Sequence, residues 1–398
     1  MSQKKFDVVV VGGGPSGATL AAQLAHHGLS VAMIDKRHLE GQAYLETKPC
    51  GGGIDARFWK LLAEGVSAED AKIAIEPHEI SSLVVRHNGG HEYTHAYDEP
   101  FLHMGMRERI DGFLAAAAAR NGVKIFNGTV NTIIDHGSEY EVKGEQSVFG
   151  RYLVGADGSY SVVSRLTNIS PNPQVFLASE WECEVSDSRM WEEWQHKALI
   201  DTRIYPMGYG WIFPKHNGHL SIGWGLPHTA SKKLRNMTVK LFQDNHIEGK
   251  IKKQAHWVPF NRGGTISRDR IILIGDAAGV CNPGNGGGIS PAMESGYLGG
   301  AAIVNDLEHP GTLAFWYEKM VKELMINKYR DAEAMRNYLL LKTAANPDKA
   351  AKDPSLWSWF VGDLNDTITY TEWSHTYPWR RFIGGLVNPF VNKVFSRI

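Results

Sequence analysis

The sequence predicts an α/β fold, α+β overall: a parallel dinucleotide-binding sheet built from separated segments, an antiparallel sheet set between them, and a helical C-terminal region. Three stretches carry this expectation. Residues 6–11 form an apolar run that leads into Gly12-Gly13-Gly14-Pro15-Ser16-Gly17 and then a helical pattern. Between residues 175 and 225 aromatic and polar residues alternate, as in antiparallel strands. At residues 270–276, Arg-Ile-Ile-Leu-Ile-Gly-Asp is again a buried strand running into a turn, so the first sheet resumes after the interruption.

In the first stretch, Val8, Val9, Val10 and Val11 suit a strand buried on both faces. Gly12 permits a tight turn, Gly14 lets a pyrophosphate approach the backbone, and Gly17 lets the next helix pack on the strand while its N-terminus faces the phosphates. Ser16 lies in the same turn. A second strand over residues 29–34 ends in Asp35, about 20 residues past the glycines, where a carboxylate can take the hydroxyls of an adenosine ribose. Lys36 adjoins it. Strand, turn, helix and acid together predict a Rossmann-like dinucleotide site without separating NAD from FAD.

A loop over residues 36–48 leads to Pro49-Cys50-Gly51-Gly52-Gly53 and a helical pattern with Phe58, Leu61 and Leu62. Strands are expected at residues 80–85 and 93–97, as parts of the second sheet. Arg107-Glu108-Arg109-Ile110-Asp111 introduces an alanine-rich helix stopped by Asn121-Gly122, and residues 123–126 return to the first sheet. Residues 130–134, 140–142 and 147–149 read as a small meander, residues 152–158 as a strand entering a turn, and residues 229–253 as a basic, helical interlude. This organisation assigns residues 1–75, 101–170 and 262–305 to the dinucleotide-binding domain, 76–100 and 171–261 to the antiparallel domain, and 306–398 to the helical region.

The 398 residues allow a large core. With 42 Lys and Arg against 43 Asp and Glu, the formal charge of −1 provides no footprint for nucleic acid. Cys50, Cys183 and Cys281 have neither metal-ligand nor CxxC spacing, so no metal is expected and a reducing, cytoplasmic compartment is. The first strand begins too early for a signal peptide, and no apolar stretch approaches the roughly 20 residues that span a bilayer.

Two further turns decide between the nucleotides. Gly155-Ala156-Asp157-Gly158-Ser159-Tyr160-Ser161, followed by Arg165, resembles the middle signature of FAD-dependent oxidoreductases built like aromatic hydroxylases, and Gly275-Asp276-Ala277-Ala278-Gly279 resembles their third. A carboxylate at a strand's carboxyl end, Asp276, can accept from ribityl hydroxyls. Asp157 suits the same crevice or the stabilisation of its own turn. The resemblance implies that Arg107 meets the ribityl or pyrophosphate side, with a surface salt bridge to Asp111 as the alternative, and that the Val130 backbone contacts adenine. Gly286, Gly287, Gly288 and Ile289 let backbone approach a flat ring, with Ser290 as N-cap of a helix whose positive end would stabilise a reduced, anionic flavin. The three motifs in this order imply FAD as cofactor. No second GxGxxG is present, so an external electron donor, NADPH or ferredoxin-like, would bind without a nucleotide domain of its own.

Lys48-Pro49-Cys50-Gly51-Gly52-Gly53 resembles the Cys-Gly-x-Gly loop of the geranylgeranyl reductase family. Tyr209-Gly210-Trp211-Ile212-Phe213-Pro214, followed by Gly223-Trp224-Gly225, resembles that family's YxWxFP…GxG motif. The resemblance implies reduction of carbon–carbon double bonds in an isoprenoid or lipid chain by reduced FAD. Such a site needs a shaped apolar tunnel and few polar groups. Tyr209, Trp211 and Phe213 alternate along a strand and could line it, or could be core aromatics. Cys50, expected beside the flavin with Gly51 and Gly53, could donate the proton or occupy a tight position. Cys183, Cys281, His216 and His219 are expected outside the chemistry.

Two other readings remain open. A flavin-dependent halogenase or monooxygenase shares the dinucleotide domain, but halogenases carry WxWxIP where this chain has Tyr209 and Phe213. A non-catalytic FAD-binding protein is disfavoured by intact motifs on both sides. At the C-terminus, Arg380, Arg381, Lys393 and Arg397 interleave with Trp379, Phe382, Phe390 and Phe395, which suits an anionic membrane surface or a segment packed over the substrate cavity.

Overall fold

Lys4–Val11 pairs in parallel with Val31–Asp35 on one side and Ser147–Gly155 on the other, which places its valines inside an eight-stranded sheet. Val8, Val9 and Val10 are completely buried, so this position demands a continuous apolar run rather than an alternating one. The structure, a computed structural model, describes residues 4–63, 65–87, 92–203 and 208–364. Parallel pairing continues outwards through Lys124–Asn127 and Ile271–Leu273. Ser147–Gly155 is one strand, not the two expected. One edge pairs with Lys4–Val11 throughout, and the other pairs antiparallel with Tyr140–Lys143 and then parallel with Ile271–Leu273.

Pro15–His26 packs between Arg107–Arg120 and Ile289–Glu308. Small residues allow the approach: a Cβ on Gly296 would lie 2.4 Å from the Ser16 carbonyl oxygen. The alanine-rich helix ends at Asn121, where the sequence places its stop.

The second sheet has seven strands, in the order Gly249–Asn261, Pro173–Val185, His219–Pro227, Tyr209–Pro214, Lys197–Asp201, Ser82–Arg86 and Glu92–Ala96. Every pair is antiparallel except Lys197–Asp201 with Ser82–Arg86. Register assigns its faces. Trp181, Ile212 and Ile222 turn towards the helix Leu234–Asp244, burying one face; Glu180, Glu182, Trp211, Phe213 and Ser221 share the other.

Two expectations fail here. Residues 80–85 are not one strand: His78–Ile80 joins a small sheet with Leu102–Met104 and Gly53–Ile54, and the chain enters the large sheet only at Ser82. The helical interlude is shorter than expected, because Gly249–Asn261 is a strand paired along its whole length with Pro173–Val185. Its charged residues read as helical because they line an edge strand facing solvent.

Ile289–Glu308 crosses the position where the helical region was expected to begin. Leu313–Val321, Asn327–Ala345, Pro347–Lys352 and Pro354–Leu364 follow. Among the described residues no helix is long and apolar enough to cross a membrane, and none form a cluster able to hold a metal ion. Trp373, Trp379 and the basic C-terminal stretch lie outside the described residues.

Candidate active site

The nucleotide side is shaped by missing side chains. Gly12 has φ +106°, and a Cβ there would sit 2.3 Å from the Ala156 carbonyl oxygen; one on Gly17 would sit 2.0 Å from that of Gly12. Gly14 is the opposite case, with nothing within 4 Å of an added Cβ, so the turn is open in front. The helix after Gly14 has no side-chain cap, and neither has the helix after Gly288. Gly275 packs on Ser16, where its Cβ would lie 2.6 Å from Oγ, and Gly288 approaches Asp276, which brings the first and third motifs together. An open glycine cradle beside an uncapped helix N-terminus fits an anionic pyrophosphate.

Ser290 does not cap the second helix. Gly288 holds that position, and the Ser290 hydroxyl donates to Asp55 Oδ1 at 2.5 Å. Ile289 is the first helical residue and is buried. Gly286, with φ +74°, and Gly287 form the tight loop before it, in which the Gly286 amide donates to the Asn282 carbonyl at 2.8 Å.

The acidic residues divide by partner. Asp35 accepts from the Gly13 amide at 2.6 Å and from Arg37 through its amide, Nε and Nη2. Arg37 continues to Asp111 at 2.7 Å, and Arg107 grips Asp111 with two bonds of 2.9 Å. The Arg107–Asp111 pair therefore exists, but as a buried one rather than the surface pair considered from sequence. Burial pushes the Asp111 carboxyl up, and the two guanidiniums outweigh it and hold it below the usual range. Lys36 is exposed, and Val130 lines a small cleft with Ile34, Phe126 and Thr129.

Asp157 takes the turn role: it accepts from Ser161 Oγ at 2.6 Å and from the amides of Val162 and Val163 at the start of a short helix. Asp276 faces the crevice beside Lys48, His256 and Cys281. Lys48 Nζ lies 2.7 Å from its Oδ2, His256 Nε2 lies 3.4 Å from the same oxygen, and Cys281 Sγ lies 3.3 Å from Oδ1. Burial alone would raise the Asp276 carboxyl; Lys48 and His256 outweigh it and lower it. Cys281 is thus part of the site, contrary to expectation, and burial pushes its thiol up. Cys183 is buried in the second sheet's core, as expected.

The second wall is built of side chains. A Cβ on Gly51 would lie 3.1 Å from the Phe213 ring, so the Cys50 loop rests on the aromatic strand. Gly52, at φ +84°, packs against the Gly105 carbonyl, and Gly53 pairs with Met104. Trp211 and Phe213 stack at 6.1 Å and 24°. Gly223 makes room for Trp211, since a Cβ there would meet the indole at 2.4 Å. Tyr209 reaches across to the glycine loop, donating to the Asn285 carbonyl at 2.6 Å. Tyr209 and Phe213 also pack on an apolar cluster holding Phe101, Ile200, Met335, Tyr338 and Trp357.

The residues to which sequence reasoning gave no role stand within its motifs or directly beside them. Lys48 precedes Cys50 by two positions and Lys215 directly follows Pro214. Glu180, Glu182, Ser221 and His256 join only through strand register. His216 pairs with Glu76 at 2.8 Å, away from the chemistry.

An FAD binding domain family matches residues 5–298. The geranylgeranyl diphosphate reductase of Rhodobacter capsulatus is 30% identical over 312 residues, 75% of each chain. This chain belongs to the geranylgeranyl reductase family. Like its family, it is an FAD-dependent oxidoreductase. The fold is shared with a geranylgeranyl bacteriochlorophyll reductase-like protein from Thermoplasma acidophilum, with a TM-score of 0.68 at 21% identity, covering 93% of this chain and 94% of that one. It is equally shared with a flavin-dependent brominase, with a TM-score of 0.71 at 18% identity, covering 98% of this chain and 100% of that one. The family's fold alone does not separate reduction from halogenation.

Proposed function

We propose that the protein saturates carbon–carbon double bonds of an isoprenoid, geranylgeranyl-type chain carried by a diphosphate or a lipid. The observation that carries this reading is the meeting of the Cys50 loop, the Trp211–Phe213 pair and the Asn285–Gly288 loop. When bound, reduced FAD supplies a hydride equivalent to one alkene carbon. The chain's own residues then have three tasks: to hold the cofactor, to exclude water and to bring a proton to the other carbon.

Gly12, Gly14, Ser16, Gly17, Asp35 and Lys36 would hold the adenosine and pyrophosphate side, with the Val130 backbone at the adenine. Asp276 and the backbone of residues 286–289 would hold the ribityl chain and ring. Arg107, held by Asp111 and in side-chain hydrogen-bond contact with Cys50, would position the thiol, and Asp157 supports its own turn. Trp211 and Phe213 supply apolar rings against a hydrocarbon chain and keep water out. Burial, helped by the nearby Cys50, pushes the Tyr209 hydroxyl up to about 12, so it stays protonated and remains bonded to the Asn285 carbonyl. Cys50, half-buried on a glycine loop, is left as the proton donor at Sγ. The electron donor would be external, NADPH or ferredoxin-like, and an isoprenoid substrate suits a membrane surface.

The second reading, a halogenase or monooxygenase, draws on the brominase-like fold. Product mass separates the two. With geranylgeranyl diphosphate and chemically reduced, FAD-loaded protein held without oxygen, reduction adds two hydrogens per double bond. A product that appears only after air is admitted, with oxygen or halogen gained, would make the second reading the right one.

A further inference from the structure

Lys215 is 2% exposed, directly under the Cys50 loop, and belongs to no motif. Its three ammonium protons have three acceptors: the Cys50 carbonyl at 2.9 Å, Glu182 Oε2 at 2.7 Å and Glu180 Oε1 at 3.3 Å. The network continues. Ser221 Oγ donates to Glu180 Oε1 at 3.0 Å, and the Trp211 indole N–H donates to Ser221 Oγ at 3.1 Å. One buried cation therefore touches the backbone of Cys50 and, through three hydrogen bonds by way of Glu180 and Ser221, reaches the ring of Trp211.

We propose that Lys215 is a positioning residue: with Glu180 and Ser221 it sets the Cys50 loop and the Trp211 indole relative to one another. Sheet register explains why it can. Glu182, Ser221 and Phe213 form one cross-strand row, and Glu180, Gly223 and Trp211 the next, so every member except Lys215 is presented by a strand on the same face. Lys215 closes the row from the turn after Pro214. Without its ammonium, two carboxylates would face each other in a buried space, which is strongly unfavourable.

The cluster also carries a proton. One ammonium cannot neutralise two carboxylates, and Glu180 Oε2 and Glu182 Oε1 accept no hydrogen bond. Burial first, with Glu180 adding to it and Lys215 opposing, raises Glu182. The charged and titratable groups around Glu182 are Lys215, Glu180, His219 at 3.9 Å, Lys252 opposite it on the neighbouring strand, and the Cys50 thiol near Lys215. When Glu182 ionises, the cluster becomes net negative and Lys215 is drawn more firmly to it, so its hold on Cys50 depends on pH.

This inference rests on Cys50 and Trp211 belonging to the site, and its test avoids both substrate and cofactor. In FAD-free protein, Cys183 and Cys281 are buried, which leaves Cys50 as the thiol open to iodoacetamide; peptide mapping confirms the position. On the high-pH plateau, where every variant's thiol is ionised, Lys215→Met should speed Cys50 alkylation about tenfold, the scale of one lost hydrogen bond from a charged donor. Lys215→Arg should recover most of the wild-type rate. The wild-type pH profile should show a second step, from Glu182, besides that of the thiol; Glu182→Gln should remove that step and keep the other. If Lys215→Met does not fold, the Glu182→Gln profile still decides. Unchanged alkylation in Lys215→Met, or an unaltered two-step profile in Glu182→Gln, would overturn the proposal, whereas failure of isoprenoid reduction alone would overturn only the proposed function.

Discussion

The two walls of the site are made of different materials. On the nucleotide side, strand ends and helix starts present backbone, and the side chains that matter are the ones left out at Gly12, Gly14 and Gly17. On the second sheet, side chains from four strands interlock, and glycine enters mainly to make room for them, as Gly223 does for Trp211. A backbone cradle tolerates no added atom where it packs on backbone, as at Gly12 and Gly17, but few of its side chains are indispensable. A side-chain face fails piecemeal, one contact at a time.

The largest effect is expected where an atom is added to the cradle. Gly17→Ala places a Cβ 2.0 Å from a backbone oxygen that cannot move without the turn. A loss of about 3 kcal/mol in stability and no retained FAD are expected, read by thermal unfolding and by flavin absorbance after purification. Asp276→Ala comes next. It strips the partner from Lys48, and FAD affinity should fall about tenfold to a hundredfold, measured by titration. Asp157→Ala is the contrast: a lost helix cap should cost about 1 kcal/mol of stability with FAD affinity kept. If the two aspartates behave alike, the division between them is wrong.

On the other wall, Trp211→Phe removes the indole N–H that donates to Ser221 Oγ and should cost about 1–2 kcal/mol. FAD should still bind and turnover should drop, which is the reverse of the pattern at Gly17. The smallest effect is a pH dependence. The folded value of Glu182 is raised from 4.5 to about 7, so its favourable contribution is complete below about pH 4.5 and is lost as pH rises through 7. Glu182→Gln should therefore gain stability relative to wild type as pH climbs through that window, in paired melting curves. A gain on lowering the pH would contradict the sign.

The same contrast explains what could be read beforehand. Cradle residues lie within short motifs whose spacing encodes their geometry, so Gly12, Gly14, Gly17 and Asp276 were legible along with the parallel sheet. Cys50 and the Tyr209-Trp211-Phe213 alternation were legible for the same reason. Glu180 and Ser221 were not, because they stand 41 positions apart and meet only once Pro173–Val185 and His219–Pro227 are paired. Ser290 was misjudged as a cap, and Asp157 stood between turn and crevice: each lies near a helix start, where capping and ligand binding use the same residue types. The strand Gly249–Asn261 was hidden by its charge, which an edge position requires and which resembles an exposed helix.

The most direct test of the central claim is a single turnover without oxygen. Protein loaded with FAD and reduced with one equivalent of dithionite is mixed with geranylgeranyl diphosphate, and the flavin absorbance is followed alongside product mass. The account predicts reoxidation with one double bond saturated per flavin. A flavin that stays reduced with geranylgeranyl diphosphate and with geranylgeranylated lipid alike, and reoxidises only when air is admitted, would contradict it.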